Sequence, residues 1–135
     1  MSSSQQGGYT IDRTLSGVAF DEAVARTKQA LSANGFGVLT EIDVKDTLKK
    51  KIDAEIDNYL ILGACNPRMA NEALKIEPRV GAMLPCNVIV RSLDGGAVEV
   101  SAIDPVASMT AIDNARLKSV AGEVRELLRA SVAAI

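Results

Sequence analysis

Two short segments hold the residues best suited to chemistry. Each contains one of the two cysteines of the chain followed directly by an asparagine: Cys65-Asn66 within GACNP, and Cys86-Asn87 within LPCNV. A helix is predicted to begin after Asn66, so unpaired backbone N–H groups and the helix dipole would favour a thiolate at Cys65. Cys65 and Cys86 are therefore the candidate catalytic residues, and Asn66 and Asn87 are candidate binding residues.

Both segments also allow a purely structural interpretation. Free cysteine is often buried as a small hydrophobic residue, and Asn66 followed by Pro67 is explained fully as a helix cap. The sequence leaves the distance between the two thiols open. Two cysteines do not complete a structural zinc site, and no carboxylate is placed beside them by a motif, so no metal site is predicted.

Three acidic residues form an outer set of candidate binding residues. Glu41 and Asp43 lie two positions apart and share one face if the strand continues that far. Paired carboxylates serve in acid–base chemistry or hold a hard cation. Asp104 precedes Pro105, a placement typical of a turn or a cap, and Asp43 is also well placed to cap a helix.

A site without a reactive residue is a further alternative. The last predicted helix is strongly amphipathic, and its apolar side either fills the core or lines a pocket for an apolar ligand against the sheet. The same helix, or an exposed strand edge, is also a candidate dimer interface. The residues of this candidate pocket are Met83, Met109, Val120, Val124, Leu127 and Leu128.

The composition excludes several classes of protein. None of the 135 residues is histidine, which removes the Ser-His-Asp triad, the histidine zinc site and the proximal-histidine haem. A net charge of −2, no tryptophan, two tyrosines and two phenylalanines argue against binding to nucleic acid. No apolar run reaches the roughly 20 residues of a membrane span, and the N-terminus lacks the features of a signal peptide. We therefore expect a cytoplasmic protein with reduced thiols.

The strands and helices that must position these residues are predicted from the periodicity of apolar residues and from glycines and prolines that end them. Residues 1–8 are small and polar and are predicted to form a flexible tail, and residues 9–135 to form one domain. The order β-α-β-α-β-α-β-β-α, ending in a long helix, predicts a two-layer α+β fold with a mixed, mostly antiparallel sheet covered by helices.

The predicted strands are 9–15, 36–42, 58–64, 80–93 with a break at Pro85, and 97–103. The turn Asp94-Gly95-Gly96 predicts a hairpin, and the last helix is predicted to start at Asp113 or Asn114.

Four segments together resemble the family named domain of unknown function 302. They are GFGVLTEIDV at 35–44, LGACNP at 62–67, LPCNV at 84–88 and AIDP at 102–105. The resemblance runs from about Tyr9 to the C-terminus. It implies a small two-layer fold similar to that of the TATA-binding protein, usually seen as a dimer, and it implies no established reaction. The fold likeness does not imply DNA binding, because function belongs to sites and not to folds.

Two functions follow as hypotheses, and a purely structural role for the domain is the third alternative. The first is a homodimeric module that binds a small ligand or a protein, which predicts a preformed cleft near the Cys-Asn segments or a large dimer interface. The second is a thiol-dependent enzyme or redox carrier that uses Cys65 and Cys86, with no cofactor specified by the sequence.

Overall fold

The computed structural model describes residues 8–135, which form one five-stranded sheet with five α-helices. The strands are β1 (Thr10–Leu15), β2 (Gly37–Asp43), β3 (Tyr59–Cys65), β4 (Cys86–Ser92) and β5 (Val98–Ile103). The helices are α1 (Phe20–Ala33), α2 (Val44–Ile52), α3 (Pro67–Ile76), α4 (Pro105–Ser108) and α5 (Ala115–Ala133). The predicted α+β class with a long C-terminal helix is confirmed.

The sheet has the strand order β1-β5-β4-β3-β2, and every neighbouring pair is antiparallel. Strands β2 to β5 are consecutive in the chain and in space. The predicted hairpin between β4 and β5 turns at Gly95 and Gly96, whose φ angles of 84° and 86° favour glycine. Strand β1 lies at the edge of the sheet beside β5, with Thr10 opposite Ile103.

One face of the sheet forms the main core. Alternate residues of the central strands point to this face and are fully buried, as expected for a half-covered antiparallel sheet. Helices α1 and α5 pack on it and on each other, and they contribute Leu31 and Leu128 to the same core. The buried residues of the central strands on this face are Leu62, Ala64, Cys86, Val88, Val90, Val98, Val100 and Ala102.

Several local predictions are wrong. Residues 80–84 were predicted to extend β4, but Pro78–Met83 forms 3-10 turns in which Val80 is buried. The Glu77 side chain caps these turns by accepting from the Arg79 N–H at 2.9 Å. The spacing of Val44, Leu48 and Ile52 predicts that α2 buries an apolar edge, but none of its residues is buried and Ile52 is 68% exposed.

The C-terminal end of α5 is bound by a side chain from the first strand. The Arg13 guanidinium donates from Nη1 to the carbonyls of Val132 at 3.1 Å and Ala133 at 2.8 Å. These carbonyls belong to the last turn, where backbone acceptors lack helical partners and the dipole favours a cation. The last turn of α5 contains no basic residue of its own. Within residues 8–135, no helix is long and apolar enough to cross a membrane.

Candidate functional site

The two cysteines meet where β3 ends and β4 begins. Ala64 lies opposite Cys86 in the β3–β4 register, so Cys65 is one residue further along β3. Cys65, Asn66 and Cys86 all line one cavity between this end of the sheet and helices α3 and α5. The structure thus brings together three of the four residues of the Cys-Asn segments.

This cavity is small and almost entirely apolar. Its volume is about 40 Å³, room for a few water-sized groups, since one water needs roughly 10–15 Å³ by this measure. Val120, Val124 and Met109, which the sequence analysis placed in a candidate pocket, line it. Met83, Leu127 and Leu128 do not. The other apolar residues lining it are Phe36, Ala64, Met69, Ala70, Ala73, Leu84, Pro85, Pro105, Leu117 and Ala121.

The two thiols differ in their environment. Cys65 is half-buried, whereas Cys86 is buried. Burial in this apolar cavity, and then the nearby Cys65, raise the pKa of Cys86 to about 11. Cys86 is therefore a neutral thiol at physiological pH and a poor nucleophile, because the thiolate is the reactive form.

Asn66 fixes the start of α3 beside the cavity. Its side-chain oxygen accepts from the Met69 N–H at 3.2 Å, as expected of an N-cap residue. Its amide nitrogen lies close to Gly35, where a Cβ atom would come within 3.1 Å of it. Gly35 has a φ of 87° and ends helix α1. Asn66 therefore caps α3 and also packs against the turn between α1 and β2.

Asn87 lies on the other face of the sheet. It follows Cys86 on β4, and successive side chains of a strand point to opposite faces. Its partner on β3 is Gly63, where a Cβ atom would clash with the Thr40 side chain and come within 2.9 Å of Pro85. The exposed amide of Asn87 thus faces away from the Cys86 thiol and lines no part of the cavity.

The three acidic candidates line neither the cavity nor the groove described next. Glu41 is exposed and forms an ion pair with Lys28 at 2.5 Å. Asp43 caps α2 by accepting from the Asp46 N–H at 2.9 Å. Asp104 is buried and caps α4, accepting from the Val106 N–H at 2.9 Å. Each carboxylate is thus engaged in a local contact.

A larger concave site lies on the face of the sheet opposite α1 and α5. We call it the open-face groove. Its volume is about 520 Å³, and sheet residues together with Tyr9 form its whole lining. The lining residues are Tyr9, Thr10, Asp12, Tyr59, Asn87, Ile89, Arg91, Glu99, Ser101 and Ile103.

Charged groups in the open-face groove are partly paired. Arg91 donates from Nε to Glu99 Oε1 at 2.7 Å, across the β4–β5 register. The Oδ1 atom of Asp12 is buried and has no hydrogen-bond partner among the described residues. Sequence analysis missed this groove, although polar residues alternate along β4 and β5 as Asn87, Arg91, Glu99 and Ser101. Side chains able to bind a metal do not gather in groups of three or more within residues 8–135.

Comparison with known proteins agrees with this fold. The crystal structure of an uncharacterized conserved protein DUF302 from Bacillus stearothermophilus is similar, with a TM-score of 0.86. The two sequences are 26% identical, and the match covers 93% of this chain and 96% of that chain. Comparison with curated proteins finds no match. A family model described as domain of unknown function DUF302 matches residues 11–135, so this chain belongs to the DUF302 family.

Proposed function

We propose that this domain is a binding module whose small-molecule ligand occupies the open-face groove. The observation that carries the proposal is the size of the groove. Its volume of about 520 Å³ lies within the roughly 300–1,000 Å³ that is usual for small-molecule sites. The cavity beside the cysteines, at about 40 Å³, is too small for such a ligand as it stands.

The lining of the groove suits a ligand with both polar and apolar parts. Ile89 on the central strand β4 and Ile103 at the end of β5 provide apolar contact, and Asn87 and Ser101 place an amide and a hydroxyl beside them. A few polar groups that converge on an apolar floor are typical of ligand sites, because they orient what the apolar surface binds.

Nuclear magnetic resonance (NMR) titration with a fragment library that contains cationic, neutral and anionic compounds tests the proposal. We expect shifts in the backbone amides of Asn87, Ile89 and Ser101. Asn87→Trp should fill the groove and abolish these shifts, because Asn87 is exposed within it. Asn71→Trp is the matched control, since Asn71 is exposed on α3 outside the groove. Fragments that shift only residues around Cys65, or none at all, would contradict the proposal.

Thiol chemistry at the cavity is the second candidate function. The observation that favours it is that both thiols line one cavity, with Cys65 half-buried. Cys65 would be the attacking group, because the raised pKa keeps Cys86 protonated. The rate of iodoacetamide alkylation of Cys65 in Cys86→Ala, followed against pH, tests it. A midpoint well below the ~8.5 of a free thiol supports the candidate, and a midpoint at or above that value rejects it.

We also propose that the chain forms a homodimer through β2. This strand is an edge of the sheet, so among residues 8–135 one side of its backbone has no partner strand. Leu39 on β2 is 66% exposed and Ile42 is 48% exposed. Antiparallel pairing of β2 with the same strand of a second copy is symmetric, so it closes at two chains and buries these side chains.

A further inference from the structure

We infer that the ligand of the open-face groove carries a protonated amine, with Asp12 as its anionic partner. This inference rests on the proposed function and adds the chemical class of the ligand. It stands on three observations: an unpartnered carboxylate oxygen, the net charge of the groove, and the apolar surface next to that carboxylate.

The first observation is the state of Asp12. Its Oδ1 atom is buried and without a hydrogen-bond partner among residues 8–135. A buried acceptor that lacks a donor destabilises the fold, and the cost is larger for an ionised group. Asp12 also lines the groove, so a ligand amine can approach its carboxylate from there, and the positive charge of the amine would offset the uncompensated negative charge through a stronger hydrogen bond.

The second observation is the balance of charge in the groove. Its charged residues are Asp12, Glu99 and Arg91, which give a net charge of −1. Arg91 is engaged with Glu99 at 2.7 Å. From the register, the Cα atoms of Arg91 and Asp12 are two strands and two residues apart, about 12 Å by standard sheet spacing. No charged group in the groove lining thus neutralises the Asp12 carboxylate. A ligand with a positive charge would complement it.

The third observation is the surface beside Asp12. Ser101 lies directly opposite Asp12 on β5, and Ile89 lies opposite Ser101 on β4. A ligand whose amine binds Asp12 would donate a second hydrogen bond to the Ser101 hydroxyl and extend its apolar part over Ile89. Two strand spacings, about 10 Å, separate Asp12 from Ile89. This length matches an amine with a chain of several carbons that ends in an aromatic or aliphatic group.

The test compares three probes of one shape: 4-phenylbutylamine, 4-phenylbutan-1-ol and 4-phenylbutyrate, titrated by NMR at pH 7. We expect the amine to bind at least about tenfold more tightly than the alcohol, and the carboxylate most weakly. Asp12→Asn keeps the shape of the side chain and removes its charge, so it should bring the amine to the affinity of the alcohol. Asp94→Asn, at the exposed hairpin turn, is the matched control and should leave the preference for the amine unchanged.

A second variant tests the same inference without altering Asp12. Arg91→Gln leaves Glu99 unpaired and makes the groove more negative by one charge, so the amine should bind several-fold more tightly. Equal binding of amine and alcohol in the groove would overturn the inference and leave the proposed function standing. Absence of binding by all three probes and by every fragment would overturn the proposed function itself. An amine preference that survives Asp12→Asn would also overturn the inference.

Discussion

At the scale of single residues, Cys86 links the fold to protonation. Folding raises its pKa from the ordinary range of a free thiol to about 11, mainly through burial. Below pH 9 the thiol is protonated in both the folded and the unfolded chain. Between pH 9 and 11 the unfolded chain releases the proton and the folded chain keeps it, so the free energy of unfolding falls as pH rises.

We predict that this fall is about 2 to 3 kcal/mol larger in the wild-type protein than in Cys86→Ala, because two pKa units separate the states. Chemical denaturation at pH 8 and at pH 11 measures it. Cys65→Ala serves as the comparison, since it removes the minor contribution to the shift and keeps the burial of Cys86. Parallel pH profiles for the wild type and Cys86→Ala would show that the burial of this thiol is not linked to stability.

Glycine is required at position 63 on β3 because the Thr40 side chain on β2 and Pro85, just before β4, both come close to its Cα atom. A Cβ atom at this position would clash with the Thr40 side chain and lie 2.9 Å from Pro85. We predict that Gly63→Ala lowers the free energy of unfolding by about 1–3 kcal/mol through overpacking. Gly37→Ala is the matched control, because a Cβ atom there meets nothing within 4 Å. Urea denaturation of both variants measures the effect, and equal changes would refute the explanation.

The sequence predicts residue roles well where the cause is local. Asn66, Asp43 and Asn114 cap helices as their positions indicate, because capping depends on only three or four successive residues. The closeness of Cys65 and Cys86 depends on the β3–β4 register, because the 20 residues 66–85 separate the two cysteines in the sequence. The orientation of Asn87 depends on the same register. Sequence patterns without a known register place these side chains on strands but not beside one another.

At the scale of elements, the attachment of α5 to β1 makes a specific prediction. Arg13→Ala removes both hydrogen bonds to the last carbonyls of α5. We expect a loss of about 1–2 kcal/mol in the free energy of unfolding, because charged donors at a helix C-terminus are stabilising. Faster amide hydrogen exchange at the end of α5 should accompany it.

The control for this prediction is Arg129→Ala. Arg129 is an exposed residue of the same helix, with only a long ion pair to Glu126 at 3.7 Å. Exposed pairs of this kind contribute little, so its effect should stay below about 0.5 kcal/mol. A loss for Arg13→Ala no greater than this would mean that the contact with α5 is not stabilising.

The elements that sequence analysis predicted incorrectly are short or depend on tertiary contacts. Residues 78–83 contain Val80 and Met83, which fit an extended strand, but Pro78 and the cap from Glu77 start 3-10 turns. Helix α4 has four residues, too few to show a period. It begins at Pro105, and only its cap, Asp104, is indicated by the sequence, as a position typical of a turn or a cap. The longest helix, α5, has 19 residues and was found from its period within two residues of its start.

At the scale of the whole molecule, the proposed dimer gives a test of its own. Ile42→Lys places a charge on the exposed edge of β2 and should weaken association at least about tenfold. Leu74→Lys is the matched control, since Leu74 is 42% exposed on α3 and away from β2. Sedimentation velocity across a dilution series measures both. A monomer at all concentrations, or equal weakening by the two variants, would contradict an interface at β2.

The two-layer architecture was predictable because apolar and polar residues alternate along the strands, which indicates helices on one face only. The open-face groove was not, since its lining comes from four strands, β1, β5, β4 and β3, that only their order in the sheet brings together. The strand order also required the structure, because β1 is adjacent to β5 and not to β2, its neighbour in sequence.

The position of β1 has a consequence for the order in which the chain folds. Strands β2 to β5 pair with their neighbours in the sequence, so each pair can form once one helical connection or the hairpin turn between them has been made. Strand β1 pairs with residues about 90 positions later, and Arg13 contacts residues about 120 positions later. During synthesis, the first strand must therefore wait until β5 has been made, and its contact with α5 until the last turn of that helix exists. Until then, the edge of β5 that β1 later covers is open, and a neighbouring chain can pair with it, so the closure of β1 removes one route to misassembly.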